Sequence, residues 1–339
     1  EEAISALVKG LGKGKGLAAL ASTRLPIEDL AMFKSIFADK LKAELVTTLE
    51  EGKPTASLAN LAEKLGKPFE ASLEVLKDTD AVLSLELDLV DEHQVAGFFV
   101  KRQLMDGTKL LVADSKNNRL SEKATLKLEL NSGDEEEFLD NLQEAIKNKT
   151  DNDALNKAAA ILKAAQKPCI VYGQDFAANA SEKALSTLLA IAELLDASLV
   201  GVKGNANSMA ASQLHLEAPI KANGYKSAFV ILGDEEPSQK LVKILEGVPF
   251  VVALSAYGSQ LTGNANVVLP VTMWAEQSGT YLNMDGRLQK AVKALDAPEG
   301  ILTSRETLMK IAEALSLEAD VDWMTSIKTR IPTIEIKEA

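Results

Sequence analysis

Residues 168–202 read PCIVYGQDFAANASEKALSTLLAIAELLDASLVGV, and this stretch predicts the fold class. It begins with an apolar run, Pro168–Tyr172, and ends with a second one, Ser198–Val202. Between them, apolar residues recur at helical spacing over Ser181–Leu195. Both runs are continuously apolar rather than alternating, as expected for parallel strands that are covered on both faces. The stretch therefore predicts a strand–helix–strand unit of a parallel sheet.

The same alternation of strand and helix patterns extends along the chain. Further apolar runs predict strands at Leu17–Ala21, Ala43–Thr47, Ala81–Leu87, Lys109–Ala113, Ala124–Leu130, Ser227–Leu232, Pro249–Leu254 and Asn266–Pro270. Helical spacing predicts helices at Glu2–Val8, Ile27–Phe37, Ser57–Leu65, Glu92–Met105, Glu136–Lys147, Asp153–Ala165, Pro237–Leu245 and Thr303–Leu315. Asp153, Ser181 and Thr303 stand where N-caps belong. The pattern as a whole predicts an α/β protein.

Composition excludes several classes of protein. The chain has 339 residues, of which 46% are hydrophobic and 25% charged, and its net charge is −12. These values are typical of globular proteins, and the excess of acid disfavours nucleic acid as a partner. No apolar run approaches the roughly 18 residues that a membrane-spanning helix needs, so we expect no span. Because the chain starts Glu1-Glu2 without a signal peptide or initiator Met, we expect a processed or excised piece.

Metal-ligating residues are few. The chain has one cysteine and two histidines, whereas an iron–sulfur cluster needs about four thiolates and a structural zinc about four Cys or His ligands. This chain therefore cannot hold either group alone. Cys169 lies inside an apolar run and is predicted to be a core residue. His93 and His215 are predicted to be structural or surface residues.

The glycine-rich run Gly10–Gly16 invites interpretation as a phosphate loop, but its context disagrees. A phosphate loop follows a strand and opens a helix, whereas this run follows a predicted helix and leads into a strand. We expect a helix-to-strand connection.

The residues that follow the predicted strands are mostly acidic. The set comprises Glu86, Asp88, Asp91, Glu92, Asp114, Asp175, Asp234, Glu235 and Glu236, opposed only by Lys116, Arg119 and Lys203. Ligands of open α/β sheets bind at this edge. Because two unit charges 4 Å apart interact by roughly 4 kcal/mol at an effective dielectric constant of about 20, the set argues against a tightly bound dinucleotide.

An alternative role exists for several of these acids. Carboxylates are common in the first turn of helices, where they face solvent. This interpretation applies most directly to Asp91-Glu92 and Glu235-Glu236.

One segment resembles a known family. Residues 269–289, LPVTMWAEQSGTYLNMDGRLQ, are similar to the pattern VLP…E..GT..N.EGR.Q of the molybdopterin oxidoreductase superfamily, and especially of the large iron–sulfur subunits of NADH:quinone oxidoreductases (complex I). Further segments resemble other parts of the family in the same order: Leu17–Arg24, Thr79–Leu83, Glu92–Val95, Lys109–Leu120, Ala164–Gly173, Asn205–Ala211 and Ser227–Asp234. The resemblance covers about residues 1–315.

The resemblance implies a particular architecture. It predicts two Rossmann-like α/β domains with parallel sheets, the second inserted into the first, as in formate dehydrogenase and DMSO reductase but without the pterin-closing barrel. The first domain would comprise residues 1–50 and 152–295, the inserted domain residues 51–151, and a helical tail residues 296–339. An acid-rich change of composition at Asn131–Asp153 agrees with one of these boundaries.

Catalytic members of the family bind bis-molybdopterin guanine dinucleotide with Mo or W and use a Cys, selenocysteine or Ser in the active site. The matching cofactor positions here would be Asp114, Gly173, Asn205, Asn207, Ser208 and Gly233. Residues 43–73, where the catalytic residue would fall, contain no Cys. The family's Gly and Pro are missing from Leu85–Leu89, its Pro is missing after Asp114, and an extra acid follows Gly233. We therefore assign no catalytic residue and expect no cofactor on this chain.

The resemblance also suggests partners. The leading hypothesis is a cofactor-free structural region of a complex I large iron–sulfur subunit, contacting a cluster-bearing N-terminal region and other subunits in the peripheral arm, on the cytoplasmic or matrix side. The iron–sulfur clusters would lie on those partners. An alternative is the central part of a formate-dehydrogenase-like molybdenum or tungsten enzyme that retains the pterin. A third is a free-standing nucleotide-binding module.

Overall fold

The chain forms two compact units, one inserted into the other. The computed structural model describes residues 2–12, 14–221, 224–330 and 337–338. Unit 1 comprises Glu1–Gly52 and Asn205–Ala339, and unit 2 comprises Lys53–Gly204. The predicted α/β class with an inserted second domain is therefore confirmed.

Unit 1 is built on a five-stranded parallel sheet. The elements of this unit are α1 (Glu2–Leu11), β1 (Leu17–Ala21), α2 (Ile27–Lys34, continued by a π-helix, Ser35–Lys40), β2 (Leu45–Thr48), α9 (Ser208–Gln213), β8 (Ser227–Gly233), α10 (Gln239–Glu246), β9 (Phe250–Ser255), α11 (Gln260–Asn264), β10 (Val267–Pro270), a 3-10 helix (Trp274–Glu276), β11 (Gly279–Leu282), β12 (Arg287–Ala291), α12 (Ser304–Ala314), α13 (Trp323–Ser326) and β13 (Lys337–Glu338). The strand order of the sheet is β10-β9-β8-β1-β2. Every residue of β1 and β8 is buried, which explains why these runs are continuously apolar.

Unit 2 is built on a second five-stranded parallel sheet. The elements of this unit are α3 (Ala56–Leu65), a 3-10 helix (Leu73–Lys77), β3 (Ala81–Leu85), α4 (Gln94–Met105), β4 (Lys109–Ala113), a 3-10 helix (Ser121–Lys123), β5 (Leu126–Leu128), α5 (Glu135–Lys147), α6 (Asp153–Ala164), β6 (Pro168–Tyr172), α7 (Gln174–Asn179), α8 (Glu182–Leu195) and β7 (Ser198–Gly201). The strand order of this sheet is β5-β4-β3-β6-β7.

The predicted end of the inserted domain at residue 151 is wrong. Strand β3 pairs with β4 on one side and with β6 on the other, so β6 and β7 belong to the inserted sheet. Helices α5, α6 and α8 pack into one core with this sheet, to which Leu142, Leu162 and Leu188 contribute. The acid-rich change at Asn131–Asp153 reflects solvent-exposed loops at the two ends of α5, and the unit ends at Gly204 instead.

The C-terminal segment is not a separate helical tail. Leu308 and Ile311 of α12 are fully buried in the core of unit 1, so the helix is an integral part of that unit. Strand β13 pairs with β12. Residues 331–336 and 339 of the predicted tail lie outside the described residues.

The predicted strands and most of the predicted N-caps occur in the structure. All ten predicted strands occur, with ends shifted by a few residues. Ser181 and Thr303 are N-caps as predicted, but the cap of α6 is Asn152 rather than Asp153, since the Asn152 side chain accepts hydrogen bonds from two backbone N–H groups. The run at Gly10–Gly16 connects α1 to β1 as expected, and its residue Lys13 lies outside the described part. The antiparallel hairpin β11–β12 was not predicted.

The thiol of Cys169 should be inert in the native protein. The residue is 1% exposed, and burial raises the pKa of its thiol to about 12. We expect no reaction of the folded chain with a chromogenic disulfide reagent at about pH 8, and one thiol per chain to react after unfolding in guanidinium. Rapid modification of the folded chain would contradict the core assignment.

Candidate functional site

The ligand crevice of the unit 1 sheet is predicted between β1 and β8. From these neighbours the chain winds in opposite directions, to β2 on one side and to β9 and β10 on the other. Ligands of open α/β sheets bind where the winding diverges, beyond the carboxyl ends of the strands. Ser22 follows β1 at this point, and Asp234 and Glu235 follow β8.

Side chains of the protein itself bridge this crevice. The Ser22 hydroxyl donates a hydrogen bond to the Glu235 carboxylate. Arg24 Nη2 lies 3.1 Å from Asp234 Oδ2. Burial raises the pKa of the Glu235 carboxyl, and the bond from Ser22 opposes the rise. The interpretation of Glu235-Glu236 as solvent-facing acids therefore holds only for Glu236, which is exposed.

Gly233 has a backbone role at the end of β8. Its φ is +58°, a conformation that favours glycine, and its carbonyl accepts a hydrogen bond from Ala256 N at 2.7 Å. A Cβ at this position would lie 3.3 Å from a methyl of Leu25.

The loop that precedes α9 is held by a carboxylate that sequence reasoning missed. Glu50 Oε1 accepts a hydrogen bond from Asn205 N at 2.9 Å, and its Oε2 accepts one from the Ser208 hydroxyl at 2.6 Å. Glu50 thus engages two of the donors that were predicted to face a cofactor. It stands two residues beyond the end of β2, so the strand-end rule that found the other acids applies to it too.

The Asn207 side chain is held by hydrogen bonds within unit 1. Its side chain is fully buried; Nδ2 donates to Leu25 O at 2.7 Å and to Thr280 O at 3.3 Å, and Oδ1 accepts from Leu282 N at 2.8 Å. These bonds use both amide hydrogens and the amide oxygen. Asn207 therefore links β11 to the loop that precedes α2.

Gly279, in the segment 269–289 that resembles the family, is required by packing. A Cβ on Gly279 would lie 2.4 Å from Cβ of Pro26, so no larger residue fits without movement. Next to it, the Glu28 carboxylate accepts from Thr280 N at 2.9 Å and from Thr280 Oγ1 at 2.8 Å.

The buried Asp29 carboxylate is paired with an arginine: Arg305 Nε donates to Asp29 Oδ1 at 3.2 Å. Burial raises the pKa of the Asp29 carboxyl to about 7 although Arg305 opposes the rise.

The corresponding crevice of unit 2 lies between β3 and β6. Gly173 follows β6 and packs directly against the residue that follows β3, because a Cβ on Gly173 would lie 2.7 Å from the carbonyl oxygen of Glu86. Glu86 itself has a left-handed φ of +43°. The backbones meet closely here, which accounts for a glycine at position 173.

A group of carboxyls surrounds Glu86. Burial raises the pKa of the Glu86 carboxyl to about 7, helped by Glu135, which shares a hydrogen bond with it, and by the charges of Asp175 and Asp114. Glu135 is 2% exposed and accepts from Gly133 N at 2.8 Å.

Asp114 caps its own loop. Its Oδ1 accepts from Lys116 N at 2.8 Å and its Oδ2 accepts from Asn118 Nδ2 at 3.2 Å. Both carboxylate oxygens therefore already have donors within the loop that follows β4.

Two of the predicted opposing cations are already engaged within unit 2. Lys203 Nζ lies 2.9 Å from Glu70 Oε2, and both side chains are largely buried. The Tyr172 hydroxyl donates to Glu70 Oε1 at 2.8 Å. Arg119 Nη1 lies 3.1 Å from Asp91 Oδ1 at the surface.

The predicted cofactor residues are divided between the two units. Asp114 and Gly173 lie in unit 2, whereas Asn205, Asn207, Ser208 and Gly233 lie in unit 1. In unit 1 the Asn205 N–H, the Asn207 amide and the Ser208 hydroxyl bond to acceptors of the chain, and in unit 2 carboxyls surround Glu86.

Across the described ranges, no three His, Cys, Asp or Glu side chains are grouped so that they could hold a metal ion. No helix in the described part of the chain has the length and apolarity to cross a bilayer.

Sequence relatives include subunits of NADH-quinone oxidoreductases and of formate dehydrogenases. The G subunit of the NADH-quinone oxidoreductase of Rickettsia felis is 28% identical over 178 residues, which are 50% of this chain and 26% of the relative. The alpha subunit of F420-dependent formate dehydrogenase 2 of Methanococcus maripaludis is 36% identical over 73 residues, 22% of this chain and 11% of the relative. The chain thus spans about a quarter or less of the length of these relatives.

Solved structures and a family model agree on the fold. One chain of the formyltransferase/hydrolase complex (FhcABCD) from Methylorubrum extorquens matches with a TM-score of 0.69 and 18% identity, covering 93% of this chain and 95% of that one. Acetylene hydratase from Pelobacter acetylenicus matches with a TM-score of 0.65 and 15% identity, covering 98% of this chain and 60% of that one. The model of the molybdopterin oxidoreductase family matches residues 3–314. The chain therefore belongs to the molybdopterin oxidoreductase family and has homologues among NADH-quinone oxidoreductase G subunits and formate dehydrogenase alpha subunits.

Proposed function

We propose that this chain is a cofactor-free structural region of the large iron–sulfur subunit of an NADH:quinone oxidoreductase. In this role it supports the assembly of an electron-transfer complex of the respiratory chain and does no chemistry itself. The iron–sulfur clusters lie on a cluster-bearing N-terminal region or on partner subunits, in the peripheral arm on the cytoplasmic or matrix side of the membrane.

The position of the Glu50 carboxylate carries the proposal. It bonds to Asn205 N–H and to the Ser208 hydroxyl, the two donors that a phosphate would need in this loop. A phosphate brought to the same donors would lie within a few ångströms of Glu50, where like charges repel by roughly 4 kcal/mol at an effective dielectric constant of about 20. The Glu50 carboxylate thus accepts hydrogen bonds from the donors of this loop, and its charge disfavours an anionic ligand there.

Unit 2 supports the same conclusion independently. Its crevice carries Glu86, Glu135, Asp114 and Asp175; burial raises the pKa of Glu86, and the neighbouring carboxyls add to the rise. Additional negative charge at this edge would increase that repulsion. Lys203, the buried cation of the unit, is neutralised by Glu70.

The relatives support an assembly role. Several matches are G subunits of NADH-quinone oxidoreductases. One structural neighbour of nearly equal length belongs to a multi-subunit formyltransferase/hydrolase complex, so a chain of this fold and size occurs within an assembly.

The alternative is the central part of a molybdenum or tungsten bis-pterin enzyme. The short, more identical match to a formate dehydrogenase alpha subunit favours it. Asn205, Ser208 and Gly233 would then contact the dinucleotide in unit 1, and Asp114 and Gly173 in unit 2. The pterin metal would supply the redox chemistry, whereas these residues would only bind and orient the group.

Metal content separates the two functions. In protein purified natively with its partners, we expect Mo and W far below one atom per chain, together with iron from clusters on the partners, measured by elemental analysis. Mo or W near one per chain would overturn the proposal in favour of the pterin enzyme. Absence of iron from the complex would contradict membership of an iron–sulfur assembly.

Replacement of Glu50 should destabilise the native protein. In Glu50→Ala, Asn205 N–H loses its acceptor and the Ser208 hydroxyl loses its shorter bond and keeps only Asn205 O at 3.2 Å, which should lower the free energy of unfolding by about 1–3 kcal/mol. Urea unfolding measures the change, with the exposed Glu236→Ala as the matched control. Calorimetry with inorganic pyrophosphate should detect no binding to the unaltered chain. Micromolar binding, or equal stability of the two variants, would show that Glu50 does not take the place of an anion.

The carboxyl of Glu86 should make stability depend on pH. Its pKa in the folded chain, about 7, lies above the unfolded value of 4.5, so the native state holds a proton that the unfolded state has lost. Stability should therefore fall as the pH rises from about 4.5 to about 7.

Glu86→Gln removes this contribution. Between about pH 5 and pH 8, the free energy of unfolding of this variant should fall less than that of the unaltered chain, whereas the exposed control Glu137→Gln should follow the unaltered chain. Asp29, whose pKa is also raised, acts with the same sign in all three proteins and cancels. Parallel pH profiles for all three would refute the raised pKa of Glu86.

A further inference from the structure

Helix α4 of unit 2 presents three large apolar side chains and an arginine to solvent on one side. Val95, Phe98, Arg102 and Met105, here called the α4 outer face, are spaced three, four and three residues apart and so lie on one side of the helix. Val95 is 61%, Phe98 58% and Met105 87% exposed. Large apolar side chains that are exposed singly need no explanation, but a contiguous row of them is typical of an interaction site.

The helix that carries the α4 outer face is firmly held. A Cβ on Gly97 would lie 2.3 Å from Leu89 O, so the helix packs directly on the preceding loop. Gln103 Nε2 donates to Lys77 O at 2.7 Å, and Lys77 Nζ lies 4.7 Å from the centre of the Phe99 ring. The opposite face of α4 is buried through Ala96 and Val100. The outer face is therefore a fixed surface, which lowers the entropic cost of binding.

Two cavities flank Phe98. One, of about 460 Å³, is lined by Phe98, Lys101, Arg102, Met105 and Asp106. The other, of about 260 Å³, is lined by Lys77, Phe98, Phe99, Arg102 and Gln103. Phe98 and Arg102 line both. A ridge with a hollow on each side is the shape that accepts the side chains of a second helix.

Two exposed cations stand beside Phe98. Lys101 and Arg102 are exposed beside Phe98, and within the described part of the chain neither forms an ion pair. Lys77 is paired with Glu74, and Asp106 follows the last residue of α4. In a chain of net charge −12, this is a local basic and apolar surface.

We propose that the α4 outer face is the docking site of an amphipathic helix from a partner subunit, whose apolar stripe is flanked by Asp and Glu. Apolar side chains of that helix pack against Val95, Phe98 and Met105, and its carboxylates pair with Lys101 and Arg102. The inference rests on the proposed assembly role, to which it adds a place and a partner chemistry.

Other occupants fit less well. Segments that bind anionic membranes carry about four to eight clustered cations, whereas this face offers Lys101 and Arg102 on a strongly acidic chain. A second copy that docked symmetrically through the same face would bring each basic pair against its own counterpart, and like charges would meet.

The test uses the full chain and two synthetic peptides. Both peptides are amphipathic helices of about 20 residues with leucine at heptad positions a and d; one carries glutamate and the other lysine at positions e and g. We expect the glutamate peptide to bind with micromolar affinity by fluorescence anisotropy, more weakly at high salt, and the lysine peptide to bind at least about tenfold more weakly.

Variants locate the binding. Phe98→Ser and Arg102→Glu should each weaken binding of the glutamate peptide by about tenfold or more. Because both side chains are exposed, thermal unfolding of these variants should match that of the unaltered chain. Leu194→Ser and Lys157→Glu, exposed residues on other helices of unit 2, should leave binding unchanged.

Four results would overturn the proposal. The first is no binding of either peptide, and the second is equal binding of both. The third is Phe98-dependent binding to anionic vesicles without binding to the peptide. The fourth is Phe98-dependent self-association in sedimentation. Any of these would leave the proposed function standing if Mo and W are absent from the native complex, so failure of the surface and failure of the function can be distinguished.

Discussion

Backbone N–H groups in the loops beyond a parallel sheet need acceptors, and in this protein the chain's own carboxylates supply many of them. Glu50 and Glu28 do so in unit 1, and Asp114 and Glu135 in unit 2. An unpaired buried donor costs stability, so the loops adopt the shapes in which these carboxylates reach them. The same arrangement places negative charge at both crevices, which is why the proposed role is structural rather than catalytic.

Much of the fold could be predicted because burial on both faces leaves a plain signature. Strands such as β1 and β8 are apolar at every position, and so their runs stand out. The extent of the inserted unit could not be predicted in the same way. It depends on β6 pairing with β3, a non-local choice that leaves no mark in composition. A charged, polar stretch such as Asn131–Asp153 indicates that its residues are exposed to solvent. It does not indicate which sheet the next strand joins.

The loops that carry the candidate site could be predicted from the sequence, whereas the hydrogen-bond partners of their side chains could not. Asn207 and Gly173 do lie beyond sheet edges, yet one is a buried structural amide and the other a point of close backbone approach. A family-like motif tells which residues occupy a loop, whereas the partner that each side chain selects depends on residues distant in sequence, such as Glu50 for Ser208. From the sequence, α4 looks like an ordinary amphipathic helix. Only the structure shows that the apolar residues of its outer face are exposed to solvent.

The insertion also has a consequence for the order of folding. Unit 2 is continuous and can fold as soon as it leaves the ribosome, whereas β1 must wait for β8, more than half the chain later. Glu50 and Asn205, the residues that flank the insert, are bonded at 2.9 Å in the native protein. A folded insert that holds its two ends together would replace a long loop closure by a short one, lowering its entropic cost. The inserted unit would then act as an internal folding aid for the unit that surrounds it.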